Sequence, residues 1–194
     1  MRAVLPPNYT LHQGYPDVES YLHLRRTKEH PQSPTAQQAE SALQGSWYGC
    51  YITYTAPASA SASPTTPDNP TTNPETQETG EVVAMARLIS DGIYTFHLTD
   101  LLIAADHRYK KLGNVIVAHL REKIREYVIG LGMGGQGEDT EEEAALRSTE
   151  VTMLVHSWPE EHEIYYAEGF VEAWPPARGM VLDWRQIDDF DSDE

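Results

Sequence analysis

The chain has 194 residues, 40% of them hydrophobic and 23% charged, which suits a soluble globular protein with one sizeable core. Its formal net charge of −16 argues against general nucleic-acid binding, which requires a basic face, and is compatible with a cationic substrate. No apolar run reaches the roughly 18 residues of a membrane span, the first residues lack a signal-peptide hydrophobic region, and Cys50 is the only cysteine. We therefore expect a cytoplasmic protein with no membrane partner and no intrachain disulfide.

The first 54 residues predict four elements. A short strand lies within residues 5–14, and an amphipathic helix covers residues 17–28. A second helix is expected over residues 34–45, with Ser33 as its N-cap. The β-favouring residues 47–54 then predict a strand.

Three segments have the composition of flexible chain. Residues 56–79 are rich in Pro, Ser and Thr and contain no large apolar residue, so they cannot bury enough surface to become ordered. Residues 130–149 begin with a Gly-x-Gly-x-x-Gly pattern, but this pattern follows a helix instead of a strand and therefore predicts a linker. Residues 186–194 form an acidic tail. We expect a single domain over residues 1–185 with two insertions.

A hairpin is predicted from residue 81 onward, with Asp91–Gly92 as its turn. Its second strand, residues 96–105, is so apolar that burial on both faces is expected. Asp100 is unusual in this run, because a buried carboxylate needs a partner or a raised pKa. It is either a base that takes a proton from a substrate or a structural partner, and His97 is a weaker candidate base.

A basic turn, residues 108–114, separates this strand from an amphipathic helix whose apolar stripe runs through residues 116–128. The start of a helix directs unpaired N–H groups and the positive end of its dipole outward. With Arg108, Lys110 and Lys111 beside these groups, the turn predicts a site for a phosphate or pyrophosphate.

These segments resemble the GNAT superfamily of acyl-CoA-dependent N-acyltransferases. Residues 108–113 fit its Arg/Gln-x-x-Gly-x-Gly/Ala turn, with Lys111 where the first glycine is usual. Residues 151–170 resemble its later strand and helix, which ends in Tyr-x-x-x-Gly-Phe and contains Tyr165. The resemblance covers roughly residues 80–184 and implies a mixed α+β fold. Its sheet is central, twisted and mostly antiparallel, with about six or seven strands flanked by about four helices.

The resemblance also implies acetyl-CoA as co-substrate, an amine of a small molecule as acceptor, no metal, and a monomer or homodimer. Tyr165 would protonate the departing thiolate, and Asp100 is the candidate base. The implied cofactor contacts are Leu102, Ile103, Ala104, Arg108, Tyr109, Lys110, Lys111, Leu112, Gly113 and Asn114. The implied acceptor contacts are Tyr21, Arg25, His30, Trp174 and Arg178, although ordinary surface or core roles also account for these side chains.

Three questions stay open at this point. Lys111 either supplements the backbone contacts to the cofactor with its ammonium group or weakens cofactor binding, because a glycine would permit closer approach. The protein is either an enzyme or a non-catalytic acyl-CoA-binding module. A peptide or protein is an alternative acceptor to a small molecule.

Overall fold

A computed structural model describes residues 4–26, 34–57, 80–131, 151–155 and 161–172. These residues form one five-stranded sheet and four α-helices. The strands are β1 (Tyr9–Gln13), β2 (Tyr48–Tyr54), β3 (Glu81–Ser90), β4 (Thr95–Ile103) and β5 (Thr152–Val155). The helices are α1 (Val18–Arg26), α2 (Ala36–Gln44), α3 (Leu112–Gly130) and α4 (His162–Ala167), with a 3₁₀ turn at Ala105–His107.

The strands lie in the order β1-β2-β3-β4-β5. The first four are antiparallel neighbours, and β5 pairs with β4 in parallel. This confirms the predicted mixed fold with a mostly antiparallel sheet. The described part holds five of the expected strands, and nearly all of the two predicted insertions and the whole acidic tail lie outside it.

Helices cover both faces of the sheet. The hydroxyl of Tyr48, on β2, forms a hydrogen bond of 2.9 Å with His119 of α3. Leu88 lies opposite Tyr48 in the strand register, so the side chain of the preceding residue, Arg87, points to the other face. There Arg87 donates to the carbonyl oxygen of Ala42 on α2. Completely buried side chains fill the layers between, among them Tyr21, Leu24, Ile52, Val83, Met85, Phe96, Ile116 and Leu120.

Two helix starts show how local sequence sets the boundaries. Asp17 caps α1, since its carboxylate accepts the N–H of Ser20 at 2.9 Å. The prediction that Ser33 caps the second helix was wrong, because Thr35 is the N-cap of α2. Thr35 and Gln38 form a capping box in which each side chain accepts the other's backbone N–H. This reciprocal pair satisfies two backbone N–H groups at the start of α2.

The connection between β3 and β4 is longer than the predicted two-residue turn. The Oδ1 atom of Asp91 accepts the N–H groups of Ile93, Tyr94 and Thr95. This carboxylate therefore organises a four-residue loop before β4 begins at Thr95.

Candidate active site

β4 contains a β-bulge at Asp100, the one carboxylate in its sequence. Its pairing with β3 shifts between Met85 and Arg87, so that Asp100 and Leu101 together face Ala86. Asp100 has a φ of 52°, a left-handed conformation that Asp tolerates better than most residues. The extra residue takes the Asp100 side chain out of the regular alternation of side chains between the two faces of the sheet.

Side chains of β4 are buried on both faces of the sheet, as its apolar run predicts. Phe96 and Leu98 are buried in normal alternation, whereas Leu101 and Leu102 are both buried although they are successive residues. Leu98 pairs with Leu88 and Leu102 with Met85, an even and an odd position of β3, so buried leucines of β4 lie on both faces of the sheet.

The carboxylate of Asp100 is the centre of a buried polar cluster. Its Oδ1 accepts Arg25 Nη1 at 2.6 Å, and its Oδ2 accepts Arg87 Nε at 2.7 Å and the Tyr21 hydroxyl at 2.8 Å. Burial would raise the pKa of Asp100, but the hydrogen bonds and charges of Arg87, Tyr21 and Arg25 outweigh it and hold the pKa below its ordinary value. Asp100 is thus ionised at neutral pH and weakly basic, which favours the structural alternative.

The same cluster accounts for two of the predicted acceptor contacts. Tyr21 is buried, and its hydroxyl is committed to Asp100. Arg25 reaches the same carboxylate, so both side chains connect α1 to β4. Arg87 was not among the predicted site residues, although it is the one charged residue in the interior of an apolar strand and lies beside the strand that carries Asp100.

Among the described residues, no strand pairs with Ile103 on the edge of β4 that faces away from β3. β5 pairs with β4 only from Thr95 to Leu98. The N–H of Ala104 donates to Val83 of β3 at 2.8 Å. Because backbone groups alternate between the two edges of a strand, the N–H of Ile103 points away from β3, towards the side where the described pairing with β5 has ended.

The turn before α3 leaves that helix without a side-chain cap. Lys111 is the N-cap residue, with a φ of 59°, and its carbonyl accepts the first helical hydrogen bond from Val115 at 3.2 Å. The N–H groups of Leu112, Gly113 and Asn114 therefore precede the helical ladder. A positive φ at Lys111 explains why a glycine would suit this position.

Gly113 brings three elements together behind these N–H groups. A Cβ atom on Gly113 would lie 2.9 Å from Cδ1 of Ile164 on α4 and 3.3 Å from Cδ1 of Ile103 on β4. Only a residue without a side chain permits this approach. Arg121 of α3 also donates to the carbonyl oxygen of Glu168, just past the end of α4. The start of α3, the end of β4 and α4 thus form one packed unit.

Tyr165 lies in α4, with 3% of its surface exposed. Burial and the neighbouring charge of Glu161 raise the pKa of its hydroxyl well above the ordinary value, so the group stays protonated at neutral pH. Among the described residues the Tyr165 hydroxyl makes no hydrogen bond. Tyr166 differs, because its exposed hydroxyl donates to Glu172 at 2.9 Å. Of the two adjacent tyrosines, only Tyr165 has an uncommitted proton in a buried setting.

The remaining predicted acceptor contacts, His30, Trp174 and Arg178, lie outside the described residues. Within the part of the chain that the structure describes, no three His, Cys, Asp or Glu side chains are grouped closely enough to hold a metal ion. In the same part, no helix is long and apolar enough to cross a bilayer.

The architecture resembles that of known proteins, although the sequence does not. No family model matches the sequence, and no curated protein matches it. Solved structures do match, and GNAT-family acetyltransferases are among them. The chain has the GNAT fold.

Three of these structures illustrate the likeness. A probable acetyltransferase from methicillin-resistant Staphylococcus aureus is 16% identical, with a TM-score of 0.60 over 91% of this chain and 99% of that one. Glucosamine-6-phosphate N-acetyltransferase from Arabidopsis thaliana is 10% identical, with a TM-score of 0.52 over 91% and 98%. The ribosomal-protein-S18-alanine N-acetyltransferase from Escherichia coli is 14% identical, with a TM-score of 0.51 over 85% and 79%. At these identities the likeness establishes the GNAT fold alone.

Proposed function

We propose that the protein is a cytoplasmic N-acetyltransferase that moves the acetyl group of acetyl-CoA directly to a primary amine of a small molecule. The observation that carries this proposal is the packing of Gly113 against Ile103 and Ile164. It joins an uncapped helix start, an open strand edge and the helix that carries a buried, protonated tyrosine.

The uncapped start of α3 suits the pyrophosphate of acetyl-CoA. The N–H groups of Leu112, Gly113 and Asn114 point outward with the positive end of the helix dipole behind them. Arg108 and Lys111 add positive charge beside them. This charge supports binding of the diphosphate even though the chain as a whole is acidic.

The open edge of β4 suits the pantetheine arm and the thioester. Of the three residues that the resemblance implies, Leu102, Ile103 and Ala104, it is Ile103 that directs its backbone groups to this edge, because the N–H of Ala104 is bonded to Val83. The N–H of Ile103 is directed to the open side and would donate to the carbonyl oxygen as negative charge develops on it. In this arrangement the acetyl group would lie near the end of β4.

Tyr165 would complete the transfer by donating its hydroxyl proton to the sulfur of the departing thiolate. Its raised pKa keeps the hydroxyl protonated at neutral pH, so that a proton is available when the thiolate forms beside it. The amine attacks in its neutral form, after its ammonium proton has passed to water. Asp100 has a lowered pKa and would hold the bulge in β4 without accepting that proton.

An assay of thiol release from acetyl-CoA, with a panel of amines, amino acids and short peptides, tests this function. We expect release that depends on the acceptor, with the acetylated product identified by mass spectrometry. Turnover with peptides alone would move the acceptor class to peptides or proteins. Binding of acetyl-CoA without turnover on any acceptor would instead support the non-catalytic module.

A further inference from the structure

An aromatic cluster formed by Tyr9, Tyr54 and His107 lies beside the turn before α3. The rings of Tyr9 and Tyr54 have centroids 4.9 Å apart, and the ring of His107 meets them edge-on at 5.6 and 5.0 Å. The Tyr9 hydroxyl forms a hydrogen bond of 2.8 Å with Nδ1 of His107. The cluster therefore joins β1 and β2 to the 3₁₀ turn that follows β4.

The ammonium group of Lys110 lies over this cluster. Its Nζ is 5.7 Å from the centroid of the Tyr9 ring and 5.9 Å from that of Tyr54, within the range of a cation–π contact. The sequence predicts Lys110 as a phosphate contact. In the structure its ammonium group faces two rings, one on β1 and one on β2, although Lys110 itself lies in the turn that follows β4.

The backbone on both sides of Lys110 needs such support. Tyr109 and Lys111 have φ values of 62° and 59°, and neither is glycine. Each costs about 1 kcal/mol in this left-handed region, so the turn persists only where surrounding contacts determine it. Tyr109 is fully exposed and supplies no packing. Lys110 is the residue between them, and its side chain makes the contact with the cluster.

We propose that Tyr9 and Tyr54 are positioning residues for acetyl-CoA, because their rings hold the Lys110 ammonium and thereby fix the turn that presents the N–H groups of α3. This inference rests on the proposed function, since it assumes that acetyl-CoA binds at this turn. It assigns a role in cofactor affinity to residues on β1 and β2 that touch no cofactor.

A direct phosphate contact by Lys110 makes a different prediction. In that case the loss of Lys110 weakens binding, but loss of the rings leaves affinity unchanged. If the rings act through Lys110, then loss of the ring, loss of Lys110 and loss of both weaken acetyl-CoA binding to about the same extent. A double-mutant cycle between Tyr54 and Lys110 separates the two accounts.

The experiment measures acetyl-CoA affinity by calorimetry for the wild type, Tyr54→Leu, Lys110→Met and the double variant. Tyr54→Phe is the matched control, because it keeps the ring and removes only the hydroxyl. We expect Tyr54→Leu to weaken binding about threefold to tenfold and Tyr54→Phe to leave it unchanged. In the Lys110→Met background, Tyr54→Leu should have no further effect. Lys110→Arg should retain affinity, because a guanidinium also binds aromatic faces.

Two results would overturn the proposal. One is unchanged affinity in Tyr54→Leu, and the other is an equal loss in both backgrounds, which would indicate a general structural effect. If Tyr54→Leu fails to fold, the same cycle with Tyr9→Leu decides the question by the same criteria. Failure of the proposed function is distinguishable: the wild type would then either not bind acetyl-CoA at all or bind it without turnover on any acceptor, and neither result depends on the rings.

Discussion

Asp100 and Arg87 come from neighbouring strands, and Arg87 Nε lies 2.7 Å from Oδ2 of the Asp100 carboxylate. The pair sits at the bulge in β4, where Asp100 has a positive φ, and Arg25 approaches the same carboxylate from α1. A carboxylate with two arginine partners is a poor proton acceptor. The geometry therefore makes Asp100 a structural anchor next to the proposed thioester position.

Asp100→Asn should destabilise the fold by about 3 kcal/mol, because it leaves the charges of Arg25 and Arg87 without their shared counter-ion. Since the folded-state pKa of Asp100 is lowered, its contribution is fully present above the unfolded-state value of about 4 and is lost as the pH falls through the folded-state value. Urea unfolding of both proteins from neutral to acid pH should show the stability difference shrinking at the acid end. The exposed residue Asp106 provides the control Asp106→Asn, which should change stability little. Normal stability with a displaced acid limb in the pH–kcat profile would restore Asp100 as the base.

Tyr165→Phe should lower kcat by about 10²-fold or more, within the range of general acid catalysis, and leave acetyl-CoA affinity nearly unchanged. The lost proton is needed only when the thiolate leaves. Tyr166→Phe is the matched control, because Tyr166 is adjacent and exposed and bonds to Glu172. Steady-state kinetics decide the assignment, and near-normal turnover of Tyr165→Phe would contradict it.

Lys111→Gly and Lys111→Ala together separate the two roles left open for Lys111. Both remove the ammonium group, but only glycine relieves the strain of a φ near 59°. If the ammonium contributes to binding, both variants bind acetyl-CoA more weakly, and Lys111→Ala is the weaker of the two. Tighter binding by Lys111→Gly than by the wild type would show that the lysine hinders approach of the pyrophosphate. Calorimetry measures the affinities.

Gly113→Ala should lower stability by about 1–3 kcal/mol and reduce kcat, because the new Cβ meets Ile164 and displaces α4 with Tyr165. Ile164→Val removes the clashing Cδ1 atom, so the double variant should recover part of both losses. Gly130→Ala is the control, since a Cβ there meets no atom within 4 Å. Chemical denaturation and kinetics of the wild type and these variants test the contact between Gly113 and Ile164. A loss in Gly113→Ala that Ile164→Val does not reduce would refute it.

The elements with strong local signals were predictable. The capping residue Asp17, the end of α2 before Gly45 and the amphipathic pattern of α3 are determined by neighbours in sequence, and all are present in the structure. The positive φ at Lys111 also has a local signal. Lys111 stands where the turn pattern that residues 108–113 resemble usually has a glycine, and glycine adopts a positive φ without strain.

What sequence alone missed depends on residues distant along the chain. The bulge at Asp100 appears only when β3 and β4 are paired, and its role appears only when Arg25 and Arg87 approach from other elements. Likewise, nothing near Lys110 in sequence indicates that Tyr9 and Tyr54 lie under its ammonium group. Long-range pairing of this kind leaves no periodic pattern to detect.

The central claim is that the uncapped start of α3 holds the pyrophosphate of acetyl-CoA. Calorimetric titration of the wild-type protein with acetyl-CoA, compared with acetyl-pantetheine, which lacks the pyrophosphate, tests it most directly. The account predicts clear binding of acetyl-CoA that weakens with added salt, and much weaker binding of acetyl-pantetheine. Equal affinity for the two compounds, or no binding of acetyl-CoA, would contradict it.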